Sequence, residues 1–148
     1  METYLWSDAW ILQAMAGATI SGPADLVAVI AAADAVQHAL PTDDELRGAL
    51  RRLVDGGFIH DGAGHFRLAS KVPEQVVKAM RDAGLQGGYQ AAARVLDSEK
   101  WSKERNVRDP RNQVEYPGLT DEVLRRANRE YDRQIRKAMQ VKRAEPAS

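Results

Sequence analysis

The chain has 148 residues, 44% of them hydrophobic and 28% charged, enough for one modest core with an extension or for two small units. It has no cysteine, which rules out disulfides and thiolate metal ligands and fits a reducing cytoplasm. Net charge is zero, yet residues 1–70 carry 4 Lys/Arg against 9 Asp/Glu and residues 71–148 carry 17 against 12, so a balance of −5 faces one of +5.

The opening "METYLWSDAWILQAMAG" lacks a basic leader and spaces its apolar residues as a helix does, so a secretory signal is not expected. No apolar run approaches the length that spans a bilayer, so no membrane partner is expected and the protein is placed in the cytoplasm. Ser7 is the predicted cap of a first helix that sets Trp10, Ile11, Ala14 and Met15 on one face and stops at Gly17. In "SGPADLVAVIAAADAVQHAL" Gly22 or Ser21 is the predicted cap of the second, Pro23 fits its first position, and Asp25 complements the dipole. Leu26, Val29, Ile30, Ala33, Val36 and Leu40 recur at helical spacing, alanines fill the other faces, and Pro41 ends the helix.

The third helix announces itself. Thr42 to Glu45 reads T-D-D-E, a capping box. Leu46, Ala49, Leu50, Leu53 and Val54 form its core stripe, and Gly56-Gly57 stops it. Phe58 and Ile59 begin a short strand, "DGAG" turns, and Phe66 and Leu68 alternate back along a second strand. The order is helix, helix, helix, two-stranded hairpin.

That order, carried by "PTDDELRGALRRLVDGGFI" followed by "HDGAGHFRLAS", resembles the winged-helix class of helix-turn-helix domains over residues 7–70, about half the chain. The expected fold is mainly α: a winged-helix-like N-terminal domain of three helices plus a two-stranded hairpin at 1–70, with a C-terminal helical extension. The resemblance implies DNA binding through the third helix and the wing, although many winged helices serve as protein-interaction modules.

Beyond residue 70, Pro73 to Ala83 reads as a short helix, "GLQGG" (84–88) as a flexible break, and Tyr89, Ala92, Ala93 and Leu96 as another helix ending near Trp101. Residues 102–119 read as a polar, proline-punctuated loop. Thr120 caps a long final helix to about Arg143, followed by the tail "AEPAS". Residues 71–119 thus form a region of short helices and polar loop, and 120–148 a basic amphipathic helix with its tail.

On the third helix, Asp44, Arg47, Gly48, Arg51 and Asp55 are predicted to face outward. A groove-reading helix offers its N-terminal residues to DNA, and here these are Asp43, Asp44 and Glu45, which repel phosphate. Arg51 and Asp55, four apart, suit an ion pair. Arg47, Arg51, Arg52 and the wing's Arg67 remain as candidate contacts to phosphate or bases. On the final helix Leu124, Ala127, Tyr131, Ile135 and Ala138 share one face, while Arg125, Arg126, Arg129, Arg133, Arg136 and Lys137 share the opposite one. That stripe suits duplex DNA, the acidic half of this or a second chain, or solvent alone. Two functions follow. One is a DNA-binding regulator using these ten cations. The other is a non-catalytic interaction or dimerisation module whose winged unit is structural and whose basic helix docks on an acidic surface.

Asp34 and His38 sit at a spacing that permits a hydrogen bond or a shared metal, and His60 and His65 flank the wing turn, but nothing demands convergence on a metal. Phosphate-loop, dinucleotide-binding, serine-hydrolase and zinc-peptidase motifs are all missing, so neither catalysis nor a cofactor is expected. Trp6, Trp10 and Trp101 read as core or interface anchors.

Overall fold

A computed structural model describes residues 3–102 and 108–144 of the chain, with side chains as far as Lys142. The chain is mainly helical: α1 (Trp6–Ala18), α2 (Leu26–Gln37) and α3 (Asp43–Asp55) precede a hairpin of β1 (Ile59–Gly62) and β2 (His65–Leu68), and α4 (Glu74–Asp82), α5 (Gly84–Leu96) and α6 (Asp121–Ala144) follow. Three helices and a hairpin in this order make a winged-helix-like arrangement over the first half.

Helix α1 is the centre of the core. Every residue from Ser7 to Ala16 is buried, and α2, α3, α4 and α5 all pack on it. A helix buried on all sides needs no amphipathic stripe, and the polar Ser7, Asp8 and Gln13 are buried in it along with the apolar residues. It begins before the expected Ser7: Leu5 is the capping residue, its N–H donating to the Asp8 carboxylate at 2.9 Å. It also runs through Gly17 to Ala18.

Helix α2 starts later than expected. The cap is Asp25, whose carboxylate accepts the Ala28 N–H at 2.8 Å, and Pro23 lies outside the helix. The preceding residues are held extended instead, because Ala24 exchanges two backbone hydrogen bonds with Phe66 of β2 at 2.8 and 2.7 Å. The helix ends at Gln37, before Pro41, with His38 left-handed (φ 53°) and Leu40 beyond the helix and exposed. The His38 N–H donates to the Asp34 carbonyl, whereas the Asp34 carboxylate accepts the Tyr131 hydroxyl.

The capping box of α3 forms as the sequence predicts: Thr42 Oγ1 accepts the Glu45 N–H at 3.1 Å, and Glu45 Oε1 accepts the Thr42 N–H at 3.0 Å. Leu46, Ala49, Leu50 and Leu53 are buried. The hairpin pairs Ile59 with Leu68 and Gly62 with His65 around a two-residue turn, Ala63-Gly64, both at positive φ. Such a turn matches the twist of the strands and favours glycine at its second position. Phe66 points into the core.

The expected flexible break at 84–88 is instead the start of α5. Gly88 serves close packing rather than freedom: a Cβ there would stand 2.7 Å from the Met80 carbonyl oxygen and 2.6 Å from Gln13 Nε2. Gln13 in turn donates to the Leu85 carbonyl at 2.8 Å, tying α5 to α1. Helix α5 ends at Leu96, short of Trp101, with Asp97 left-handed. Val72, Met80, Ala92, Leu96, Tyr116 and Leu119 join the same apolar cluster as the first three helices.

Of the expected polar loop, residues 103–107 lie outside the described residues, and Pro110–Asn112 forms a 3-10 turn. Thr120 Oγ1 accepts the Val123 N–H at 3.3 Å at the head of α6. Leu124, Ala127 and Tyr131 are buried, and α6 packs on α2. The tail from Glu145 onward lies outside the described residues.

Candidate interaction surfaces

The outward face of α3, where a groove-reading helix would meet DNA, is occupied by the chain itself. Segment 109–121 crosses it as a strap, antiparallel to the helix. At the C-terminal end of α3, Arg52 is almost fully buried: its Nε and Nη2 donate to the two Asp8 carboxylate oxygens at 2.7 and 2.8 Å. The same guanidinium donates through Nη1 to the Arg111 carbonyl at 2.7 Å and through Nη2 to Asn112 Oδ1. This forked, charge-assisted set satisfies a cation that would otherwise be very costly to bury.

Gly48 lies directly under the strap, and a Cβ there would come within 2.9 Å of the Asn112 Cα. Next to Arg52 in sequence, the Arg51 guanidinium sits 5.7 Å from the Tyr116 ring centroid and pairs with Asp55 at 3.2 Å, the pair expected from their spacing. The Tyr116 hydroxyl reaches across to donate to Asp61 on β1, and burial first, then Asp61, pushes its pKa upward. Towards the N-terminal end Arg47 donates to the Leu119 carbonyl at 2.8 Å and pairs with Asp121 and with Asp44.

The strap therefore bridges α3 and the hairpin. Three of the four N-terminal arginines singled out for phosphate contact, Arg47, Arg51 and Arg52, engage the strap. Only Arg67, on β2, stands on an exposed position.

A second surface runs along α6. Arg125, Arg126, Arg129, Arg133, Arg136 and Lys137 are all exposed, as the helical wheel predicts. Four of them pair with neighbours on their own helix: Arg125 and Arg126 with Glu122, Arg133 with Glu130, and Arg136 with Asp132. These arginines hold the Glu122 and Glu130 carboxyls below their usual range. Among the described residues no ion pair joins the stripe to the acidic half.

The contacts that seat α6 come from its other faces: Tyr131 donates to Asp34, Asn128 to Asp43 at 3.1 Å, and Arg47 of α3 to Asp121. From Asp132 to Lys142 every residue is exposed, so the apolar seam of Leu124, Ala127 and Tyr131 continues through Ile135 and Met139 into solvent.

The third surface is an apolar groove of about 500 Å³ where the end of α2, the start of α5 and Trp101 meet α1. Trp6, Tyr89 and Trp101 give it aromatic walls, and Leu85 and Trp101 stand about half exposed at its rim. Trp6 stacks on the buried Trp10, 5.6 Å between centroids, which fixes that wall to the core. Its polar groups include the carboxamides of Gln37, Gln86 and Gln90, and among the described residues no Asp, Glu, Lys, Arg or His lines it.

Among the described residues no three His, Cys, Asp or Glu side chains converge as metal ligands, and no helix is long and apolar enough to cross a membrane. His60 and His65 are both exposed on the hairpin. Sequence reasoning missed Asp8, Asn112 and Tyr116. Only Asp8 carried a signal, as the one acid inside the apolar run "WSDAWILQAMA". No family model, curated protein or solved structure matches the chain.

Proposed function

We propose that this chain is a non-catalytic, cytoplasmic protein-interaction module whose winged-helix-like unit is a structural frame and whose basic α6 docks on an acidic protein surface. The observation that carries this reading is the strap: segment 109–121 covers the α3 face on which duplex DNA would lie and accepts hydrogen bonds from Arg47 and Arg52. The acids at the head of α3 point the same way, since Asp43, Asp44 and Glu45 would face a polyanion. The exposed half of α6 combines a basic stripe with solvent-facing apolar residues, a pairing that suits a protein partner more than a phosphate backbone.

One observation favours the rival reading of a DNA-binding regulator. The six cations from Arg125 to Lys137 stay on the surface, and Arg67 is exposed beside them in kind if not in place. A salt series with generic duplex DNA separates the two. The interaction reading expects no binding at 50 mM salt up to about 100 μM protein, the range in which even non-specific DNA binders associate. Binding that weakens with a slope near −0.9 per neutralised phosphate, and that is lost when Arg129, Arg133 and Arg136 become glutamate, would establish the rival.

A further inference from the structure

We infer that the outer stripe of α6 is the seat of an acidic helix from a different protein, laid along α6 so that its carboxylates meet Arg129, Arg133, Arg136 and Lys137 turn by turn. This rests on the reading above, that α6 docks on an acidic protein surface, and names the form of the partner. The acids of the N-terminal half, in this chain or a second copy, are engaged elsewhere. Asp8, Asp44 and Asp55 pair with arginines of α3, Asp25 and Glu45 cap helices, and the other described acids of residues 1–70 accept hydrogen bonds from the strap and α6. Docking on a second copy would therefore exchange one partner for another. The half beyond residue 70 carries a balance of +5 and repels the stripe.

All four cations are exposed. Among the described residues Arg129 and Lys137 make no ion pair, and Arg133 and Arg136 pair only with Glu130 and Asp132 of their own helix. Such exposed pairs contribute little and exchange readily. Glu130 and Asp132 flank the stripe on its two sides. A phosphate backbone would meet these acids with charge of its own sign, whereas a protein helix can set lysine or arginine opposite them. The spacing selects the form of the partner. Cations recur once per turn from Arg126 to Lys137, a length of about 17 Å at 1.5 Å per residue. A helix laid along α6 offers carboxylates at the same pitch of about 5.4 Å, so pairing stays in register. An extended chain repeats on one face only every ~6.8 Å and falls most of a turn out of step over that length. The distal turns of α6 are exposed on every side, so a partner paired along them also steadies a helix that is marginal alone.

The test is titration of the full chain, followed by calorimetry and amide exchange of residues 129–142, with an alanine-based helical peptide bearing one glutamate per turn along a single face. The comparators are its isomer with the same glutamates spread around the helix, a disordered Glu-Gly peptide of equal charge, and generic duplex DNA. The expected result is saturable binding of the one-faced peptide, roughly tenfold tighter than either comparator peptide, with slowed exchange of the α6 amides. Raising salt from about 50 to about 300 mM should weaken it by roughly tenfold. Arg129→Glu with Arg133→Glu should abolish binding, and Lys78→Glu, at an exposed position on α4, should leave it unchanged. Equal affinity for the one-faced and the Glu-Gly peptides, both lost in the α6 variant, would overturn the helical form and leave the acidic-protein reading standing. Undiminished peptide binding in the α6 variant would overturn both. So would the absence of peptide binding up to about 1 mM, or binding of duplex DNA through α6 in place of the peptides.

Discussion

Helices α3 and α6 each carry several arginines, yet the molecule treats them oppositely. On α3 the arginines are anchors. Arg52 is 4% exposed and Arg47 half-buried, and both are saturated by carboxylates and by the carbonyls of the strap. On α6 they lie on the surface, with neighbours one turn away. The difference teaches that arginine count alone does not identify an interaction face. Buried, forked pairs tie the fold together and cost much to break, whereas exposed i,i+3 and i,i+4 pairs contribute little to stability and leave the charge available to a partner.

The sharpest way to break this comparison is Asp8→Ala. It leaves the Arg52 guanidinium buried without its carboxylate and should cost about 3–5 kcal/mol in urea unfolding. A loss comparable to that of a surface substitution would mean that Arg52 is not held as described. Gly48→Ala comes next: its Cβ meets Asn112, so strap and helix must separate, with an expected cost of about 1–3 kcal/mol. Unchanged stability would place the strap elsewhere.

A smaller effect concerns the seat of α6. Burial, and then the hydrogen bond to Asp34, pushes the Tyr131 hydroxyl up to about 12. The folded state thus favours the neutral phenol, whose ordinary pKa is about 10. Stability from this contact is complete below pH 10 and declines as pH rises towards about 12. Tyr131→Phe should cost about 1 kcal/mol at pH 7 and flatten that alkaline decline, as melting temperatures across the pH range would reveal. The smallest effect is expected on the open side. Reversing Arg129 and Arg133 to glutamate should leave the melting temperature nearly unchanged, since both are exposed and, among the described residues, neither pairs with the acidic half. A drop of several degrees would show that the stripe docks at home.

Much of the architecture is legible in local chemistry. The T-D-D-E box places the start of α3, Gly56-Gly57 its end, and the two-residue turn the wing, because each depends on residues within a few positions. Thr120 marks the head of α6 for the same reason. What escapes is whatever depends on distant partners. The cap of α2 moves from Gly22 or Ser21 to Asp25 because Ala24 pairs with Phe66 of β2, a pairing that no periodicity reveals. The glycines of 84–88 read as a break until Met80 and Gln13 are seen pressed against Gly88.

The site suffers most from this. Arg47, Arg51 and Arg52 read as candidate phosphate contacts, and only the return of residues 109–121, together with Asp8 of α1 for Arg52, shows what engages them. A polar, proline-punctuated stretch reads as loop, and Asn112 and Tyr116 carry no local mark of a structural role. The stripe of α6, by contrast, was legible in full, since exposure on a helix with one packed face follows from spacing alone.

The most direct test of the account is amide hydrogen exchange, comparing the strap with the distal half of α6. Docking of the strap predicts that the amides of Asn112, Gln113 and Leu119, each hydrogen-bonded within it, exchange only through the opening that also exposes α3. The amides of residues 134–142, on helical turns whose side chains are all exposed, should exchange far faster, because a short unsupported helix is marginal in water. Strap amides that exchange as fast as those of the α6 end, while α3 remains protected, would contradict the account and return the α3 face to solvent and to DNA.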